Sequence, residues 1–382
     1  MGAAIAAVAV AAATTAATAA APAVAAPAAA APLAAGQQGT RPDVPWSRVG
    51  PGWMLATRSA ARSGGTATLF LIDPAGGRYR LATLPASPAR PDYLVDWSGQ
   101  GQRALLDNSS SPSHVEVLNL RTGQGARFSL GSRVSPRGFS TPGGLAILAS
   151  TGGARPRLER FSLTGTLQQT YPASFTGGAY FDGNAAVYAP DGNEVAVSTS
   201  SAMELISNGG HVIRALPVNS SARDCTPVRW WTATEVLATC FPPRSGIAQL
   251  WLVPASGARA TALTASPAAR GDYGDLDAWP LTSGTYVQDA GACGTAYLAK
   301  LQASRQTAPV GVPGVASGDS VIVVGSHADQ LAIEARTPCG SGSYLLWYSA
   351  AHGTTTPLLG GPASGGGYVD GVFLFGEPTV GL

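Results

Sequence analysis

Charged side chains are scarce in this sequence. Asp, Glu, Lys and Arg make up 12% of its 382 residues, which is about half of the usual share in a globular protein. The 24 basic and 22 acidic residues nearly cancel and leave a formal net charge of +2. So balanced a charge gives no reason to expect nucleic acid as a partner, and we predict none.

Signatures of familiar catalytic sites are missing as well. The sequence has no G-x-S-x-G nucleophile motif, no P-loop and no dinucleotide-binding G-x-G-x-x-G between a strand and a helix. It also has no C-x-x-C, and its four histidines lack the spacing of metal ligands. These absences argue against a complete enzyme of the prolyl-oligopeptidase type, and we predict neither a cofactor nor a metal site.

Glycine and proline, by contrast, are abundant. The chain has 48 glycines and 29 prolines, and its apolar residues make up 45% of the total. This composition is typical of many short strands joined by turns around a continuous core. We therefore predict a single large all-β domain rather than two or three smaller domains.

A unit of strands and turns recurs after residue 45. The clearest example is 188–197, where Tyr188 leads into the turn Pro190-Asp191-Gly192 and an alternating strand follows. The units repeat at intervals of about 40 to 50 residues, the length of a four-stranded propeller blade. The residues that precede the inner turn are Trp97, Phe139, Tyr188, Trp231, Trp279 and Val324.

The two ends of the repeat region complete each other. Residues 53–85 contain three strands without an inner strand before them, and 368–375 form an inner-type strand with nothing after it. Pairing the first and last strands removes the free edges of an incomplete blade. We predict a seven-bladed β-propeller over 49–382 that is closed by its C-terminal strand.

The turn motif also suggests a family. The aromatic-x-Pro-Asp-Gly pattern at 188–197, and the weaker form at 96–105, resemble the WD-like repeats of TolB-type β-propellers, in particular the exported actinobacterial type. This resemblance implies a location in the cell envelope and the binding of a protein or another ligand. It implies no catalytic residue.

The N-terminus has a different composition. Residues 1–36 are rich in Ala and Pro, with prolines that interrupt any helix before it spans a bilayer comfortably. We predict an export signal and spacer, followed by a linker at 37–48. A retained membrane tether is the alternative. Either reading places the propeller outside the cytoplasm, secreted or in the cell envelope.

All four cysteines lie in the last three blades. An even number in an exported chain favours disulfides. Cys225 begins an inner strand and Cys240 ends the strand hairpinned to it, so we predict that these two pair. Cys293 and Cys339 occupy equivalent turns of neighbouring blades and form the second predicted pair. Free structural thiols or a metal or redox site are the alternatives.

Ionisable residues concentrate where the inner strands begin. If the blade register is right, carboxylates and arginines converge on one channel mouth and bind a cation, a cationic side chain or a sugar. The simpler interpretation is that the aspartates cap turns. The predicted ligand-binding residues are Asp92, Asp182, Asp224, Asp275, Asp319, Arg223 and Arg229.

Two functions remain open from the sequence. The first is a noncatalytic exported scaffold that binds an envelope protein or cell-wall ligand as a monomer. The second is a hydrolase or lyase that acts on a cell-wall glycan or peptide through carboxylates at the channel mouth. Because propellers host both classes, the fold alone does not decide between them.

Overall fold

The computed structural model describes residues 33–60, 66–84, 93–108, 114–141, 143–152, 157–171, 186–199, 203–218, 223–241, 247–266, 273–338, 341–361 and 367–376. The chain forms seven antiparallel blades, and within the described residues the first alone gains an additional, parallel strand. Among the described residues, three complete short 3-10 helices lie outside the blades, at Arg41–Asp43, Trp46–Arg48 and Ala292–Gly294. The predicted all-β, seven-bladed propeller is confirmed.

The first three blades follow one another along the chain. Blade 1 contains β1 (Gln38–Thr40), β2 (Met54–Ser59), β3 (Ala67–Ile72) and β4 (Arg78–Leu84). Blade 2 contains β5 (Tyr93–Ser98), β6 (Arg103–Asn108), β7 (His114–Asn119) and β8 (Gly125–Ser129). Blade 3 contains β9 (Val134–Phe139), β10 (Ala146–Thr151), β11 (Leu158–Ser162) and β12 (Leu167–Thr170).

Four blades and the closing strand complete the ring. Blade 4 contains β13 (Ala186–Tyr188), β14 (Glu194–Ser198), β15 (Met203–Ser207) and β16 (Val212–Leu216). Blade 5 contains β17 (Arg223–Thr232), β18 (Glu235–Phe241), β19 (Gln249–Pro254) and β20 (Thr261–Ala262). Blade 6 contains β21 (Asp275–Leu281), β22 (Gly284–Ala290), β23 (Ala296–Leu301) and β24 (Thr307–Pro309). Blade 7 contains β25 (Ser320–His327), β26 (Gln330–Arg336), β27 (Ser343–Ser349) and β28 (Thr354–Leu359), and β29 (Tyr368–Leu374) returns to blade 1.

Strand β29 closes the ring as predicted. It is the innermost strand of blade 1 and pairs antiparallel with β2, from Met54 opposite Leu374 to Ser59 opposite Tyr368. At the outer edge of the same blade, β1 pairs parallel with β4. Part of the segment assigned to the linker therefore lies on blade 1 as a fifth strand.

The described hydrophobic residues form seven core clusters, one at each contact between neighbouring blades. Alternation along the strands directs side chains to both neighbours. In β2, Leu55 packs towards blade 2, whereas Met54 and Ala56 pack towards blade 7. In β6, Leu105 packs towards blade 3 and Leu106 towards blade 1. Each blade is thus apolar on both faces, which explains the high apolar content of a chain made of short strands.

The turn at the centre of the repeat motif has the expected chemistry. Gly192 adopts φ 73°, and its N–H donates to the carbonyl of Ala189. Asp191 accepts the backbone N–H of Asn193 at 3.0 Å, and this bond lowers the pKa of the Asp191 carboxyl. The Pro-Asp-Gly sequence therefore reverses the chain between β13 and β14.

A β-bulge recurs in the innermost strands. Within the described residues, β5, β9, β17, β21, β25 and β29 each shift register against their second strand at a similar position. A bulge inserts a residue and changes the direction of the side chains that follow. The residues directly after it are Asp96, Gly138, Arg229, Asp277, Gly325 and Val372.

One of the two predicted disulfides is present. Cys225 of β17 and Cys240 of β18 are bonded, with their Cα atoms 4.1 Å apart. Cys293 lies in a 3-10 helix, but its side chain, like all of Cys339, falls outside the described part of the chain. The second pairing therefore stays a prediction.

The predicted signal at 1–36 lies almost entirely outside the described residues. In the part of the chain that the structure describes, no helix has the length and apolar character needed to cross a membrane.

We expect closure by β29 to be essential for a soluble monomeric ring. A chain that ends at residue 366 lacks β29. It exposes the edge of β2 and the apolar side chains that share a core cluster with Leu374, such as Met54. An unpaired apolar edge promotes association. Size-exclusion chromatography should show aggregates for this truncation. A chain that ends at residue 376 keeps β29 and should elute with the full-length protein; a monomeric 366 truncation would contradict the closure.

Candidate functional site

The residues predicted to bind a ligand are only partly described. Asp92 and Asp182 lie outside the described residues. Arg223 and Asp224 begin β17, and only their backbone positions are described. The predicted channel mouth, where the inner strands begin, therefore stays a prediction as a binding site.

Asp275 and Asp319 lie near the starts of two neighbouring inner strands but in different surroundings. Asp275 begins β21 opposite Asp289 of β22, and both residues are buried. Asp319 precedes β25, and its Oδ2 lies 3.2 Å from the hydroxyl of Tyr344 in the third strand of blade 7. The Asp319 carboxylate is thus engaged within its own blade. Among the described residues, no group of His, Cys, Asp or Glu side chains is arranged to hold a metal ion.

Arg229 forms a buried ion pair between blades 5 and 6. Its Nε donates to Oδ1 of Asp277 at 2.8 Å, and its Nη2 donates to Oδ2. Both side chains are 5% exposed. The guanidinium also lies over the ring of Trp279, 4.6 Å from the centroid. Burial raises the pKa of Asp277, and both Arg229 and the N–H of Ala278 oppose that rise.

Asp96 makes an equivalent connection between blades 2 and 3. Its Oδ1 accepts the N–H of Trp97 at 2.7 Å, and its Oδ2 accepts the N–H of Phe139 at 2.6 Å. Asp96 follows the bulge of β5 just as Asp277 follows the bulge of β21. Both carboxylates therefore brace the inner strands of neighbouring blades.

A cavity of about 310 Å³ opens beside Asp96, where the inner strands of blades 2 to 5 end. We call it the strand-end cavity, and it lies at the opposite end of the inner strands from the predicted mouth. Four aromatic residues line it: Trp97, Phe139, Tyr188 and Trp230. The remaining side chains that line it are Asp96, Ser98, Gln100, Arg137, Thr141, Leu148, Ala186, Val187, Ala189 and Pro190.

Small residues leave room for this cavity. Gly138 follows the bulge of β9, at the position where Asp96 and Asp277 carry carboxylates in their blades, and adds no side chain. Ala186 of β13 also lines the cavity with a small side chain. On another side the cavity is bounded by Gly376. The preceding residue, Phe375, packs its ring edge-on against Trp97, with the ring centroids 5.6 Å apart. Closure of the ring by β29 thus also completes the cavity.

A chain of polar contacts supports Tyr188 from behind. Its hydroxyl lies 3.2 Å from that of Tyr171, which contacts Oδ1 of Asn208 at 3.4 Å. Arg160 donates to the same Asn208 oxygen at 2.8 Å. Burial is the main cause, and the neighbouring Tyr171 the second, of a pKa of Tyr188 well above its usual value. Tyr188 therefore stays neutral and fixed in position.

The sequence interpretation missed this cavity. The sequence pattern identifies Trp97 and Tyr188 only as residues that precede an inner turn, and Gly138 belongs to no motif. The signal that was available is the clustering of aromatic residues at the ends of inner strands, such as Trp230-Trp231. Arg229 is one of the predicted ligand-binding residues, but its partner Asp277 is not.

Comparison with known proteins shows the fold. No protein-family model and no curated protein matches this sequence. Among solved structures, the β-propeller domain of the Trilobed protease from Pyrococcus furiosus matches with a TM-score of 0.51 and 10% identity, over 79% of this chain and 89% of that one. The β-propeller domain of Cps50 (Swd1) from Myceliophteria thermophila matches with a TM-score of 0.50 and 14% identity, over 79% and 98% of the two chains.

A larger enzyme is also similar over part of its length. A puromycin-hydrolyzing peptidase from Mycobacterium tuberculosis matches with a TM-score of 0.53 and 14% identity, over 86% of this chain and 56% of that chain. At these identities the likeness shows a β-propeller and nothing about activity. The TolB-like, actinobacterial assignment stays a prediction.

Removing one partner of the Arg229–Asp277 ion pair should lower the free energy of unfolding more than removing both partners. Asp277→Asn removes the charge that a buried guanidinium pairs with and should lower the unfolding free energy by about 3 to 5 kcal/mol. The double variant Arg229→Met/Asp277→Leu should recover most of this loss, because neither charge remains. Denaturant unfolding provides the measurement.

A surface pair provides the control for that experiment. Arg127 and Glu116 also form an ion pair, but the Arg127 side chain is 59% exposed. Glu116→Gln should therefore cost less than about 1 kcal/mol. Equal losses for Asp277→Asn and Glu116→Gln would refute the bracing role of the buried pair.

Tyr344 should make stability depend on alkaline pH. Burial and the Asp319 carboxylate raise the pKa of Tyr344 to about 12. An unfolded tyrosine loses its proton near pH 10, so this contribution to stability is complete below about pH 10 and is lost as the pH rises towards 12. Over that interval the wild type should lose unfolding free energy relative to Tyr344→Phe in guanidinium titrations. Parallel pH profiles of the two proteins would rule this out.

Proposed function

We propose that this protein is a noncatalytic, exported β-propeller that binds a protein or a cell-envelope ligand at the strand-end cavity. The observation that carries the proposal is that two carboxylates of inner strands, Asp96 and Asp277, bond to neighbouring blades. Asp96 and Asp277 each bond to the inner strand of the next blade or the preceding one. Both carboxylates thus join neighbouring blades, which suits a structural role.

The cavity itself also favours binding over hydrolysis. General acid–base hydrolysis of a glycoside by two carboxylates requires them about 5 to 10 Å apart on either side of the bond. Within the described residues, Asp96 is the one carboxylate that lines the cavity. Its oxygens accept two backbone N–H groups, which suits a structural role.

The disulfide supports the location. Disulfides persist in oxidising compartments outside the cytoplasm, and Cys225–Cys240 joins the first two strands of blade 5. The Ala- and Pro-rich composition of residues 1–36 also supports export. Together they favour a secreted or envelope-associated protein.

The peptidase neighbours do not favour the hydrolase alternative. The Mycobacterium tuberculosis enzyme is a puromycin-hydrolyzing peptidase, but this chain spans 56% of it at 14% identity. Likeness at this level extends to the fold, which carries binding proteins as well as enzymes.

The test is binding without turnover. The full chain and an Asp275→Asn variant, matched in melting temperature, are immobilised and incubated with an envelope extract of the producing cells. Bound material is eluted and identified by mass spectrometry, and the flow-through is examined for cleaved wall fragments and peptides. We expect both proteins to retain the same unmodified ligand.

Product formation would contradict the proposal. If the wild type releases cleaved fragments and the Asp275→Asn variant does not, the carboxylates where the inner strands begin act in catalysis. The hydrolase or lyase alternative would then replace the binding function.

A further inference from the structure

We propose that the strand-end cavity receives a bulky apolar side chain of an extended peptide segment from a partner protein. This inference rests on the proposed binding function and adds the chemical class of the ligand. It follows from three properties of the cavity: its apolar walls, the engagement of its polar groups, and the strand edge that borders it.

The aromatic walls present carbon surfaces rather than polar groups. Trp230 directs its Nε1 to the carbonyl of Val187 at 3.3 Å, and Tyr188 directs its hydroxyl to Tyr171. The indole nitrogen of Trp97 is buried. What remains for a ligand is largely the faces and edges of the rings, together with the aliphatic side chain of Leu148. Such walls favour an apolar group, especially an aromatic one.

Four polar side chains that line the cavity bond to the protein itself, whereas Gln100 lines it as an exposed side chain. Asp96 accepts two backbone N–H groups, and Ser98 Oγ accepts the N–H of Gly101 at 3.1 Å. Thr141 Oγ1 accepts the N–H of Leu145 at 3.4 Å, and Arg137 donates through Nε to Ser150 at 2.7 Å. A sugar buries many hydroxyls, and each needs a partner. The cavity is therefore better suited to an apolar side chain than to a glycan.

One border of the cavity can also accept a peptide main chain. β13 is the innermost strand of blade 4 and pairs on its outer side with β14. No described strand pairs with its channel-side edge, which includes the cavity residues Ala186 and Tyr188. An unpaired strand edge offers backbone groups that an extended peptide complements, while a pocket selects its side chain.

The volume agrees with this ligand. At about 310 Å³ the cavity lies at the lower end of the range of about 300 to 1,000 Å³ for small-molecule sites. This is room for one large side chain and its flanking main chain rather than for an oligosaccharide or a large cofactor.

Ligand-observed saturation-transfer NMR on the full chain tests the inference. The probes are N-acetyl-L-tryptophanamide, N-acetyl-L-alaninamide and N-acetylglucosamine. The aromatic probe should bind through its ring protons, and the other two should bind at least about tenfold more weakly, since they offer no large apolar group to the cavity. Stronger binding of the sugar would overturn the inference.

Matched variants locate the binding. Ala186→Trp fills the cavity from β13, whereas Ala215→Trp places the same side chain on β16 of the same blade, where Ala215 is exposed. The first should weaken the aromatic probe about tenfold or more, and the second should leave it unchanged. Ala186→Leu, a smaller change, replaces Ala186→Trp if melting shows that the larger side chain disturbs folding. Unchanged binding in the cavity variants would refute the site.

Failure of this inference is distinguishable from failure of the proposed function. If the envelope ligand is retained without turnover but the aromatic probe does not bind, the protein is a binder with a different ligand site. If the probe binds at the cavity while cleaved fragments are released, the inferred site is supported and the noncatalytic function is wrong.

Discussion

The bulge in the innermost strands is the local feature on which the arrangement of the channel depends. It turns the side chain that follows it towards a neighbouring blade. Where that residue is Asp96, the next blade is bound through the N–H of Phe139; where the residues are Arg229 and Asp277, two blades share a buried ion pair. Where it is Gly138, no side chain fills the gap, and the strand-end cavity opens there. The residue that follows the bulge therefore provides a brace at Asp96, Arg229 and Asp277, and at Gly138 it borders the candidate site.

Apolar packing and ring closure give these polar contacts a rigid frame. Each neighbouring pair of blades shares its own apolar cluster, and β29 joins the last repeat to the first. The same closure carries Phe375 onto Trp97 and Gly376 to the cavity. Because buried charges are tolerated only when they are paired, the Arg229–Asp277 contact depends on this frame to keep water out. Fold stability and the shape of the site thus share one cause.

Much of the fold could be predicted because it is encoded locally. Alternating apolar residues, the Pro190-Asp191-Gly192 turn and the repeat length indicate blades, and the complementary ends indicate closure. The pairing of Cys225 with Cys240 followed from their places in one hairpin. The site was harder to predict, because a one-residue bulge is invisible in repeat spacing and decides where Arg229 and Asp277 point. A cavity that exists because Gly138 and Ala186 are small leaves no positive motif.

A crystal structure of the full chain is the most direct test of the central claim that the strand-end cavity is an open site bounded by braced blades. The account predicts solvent density in the cavity, the bidentate Arg229–Asp277 contact, and Asp96 bonded to the N–H of Phe139. Density for the protein's own chain filling the cavity, or an Asp96 carboxylate turned away from blade 3 into the channel, would contradict it.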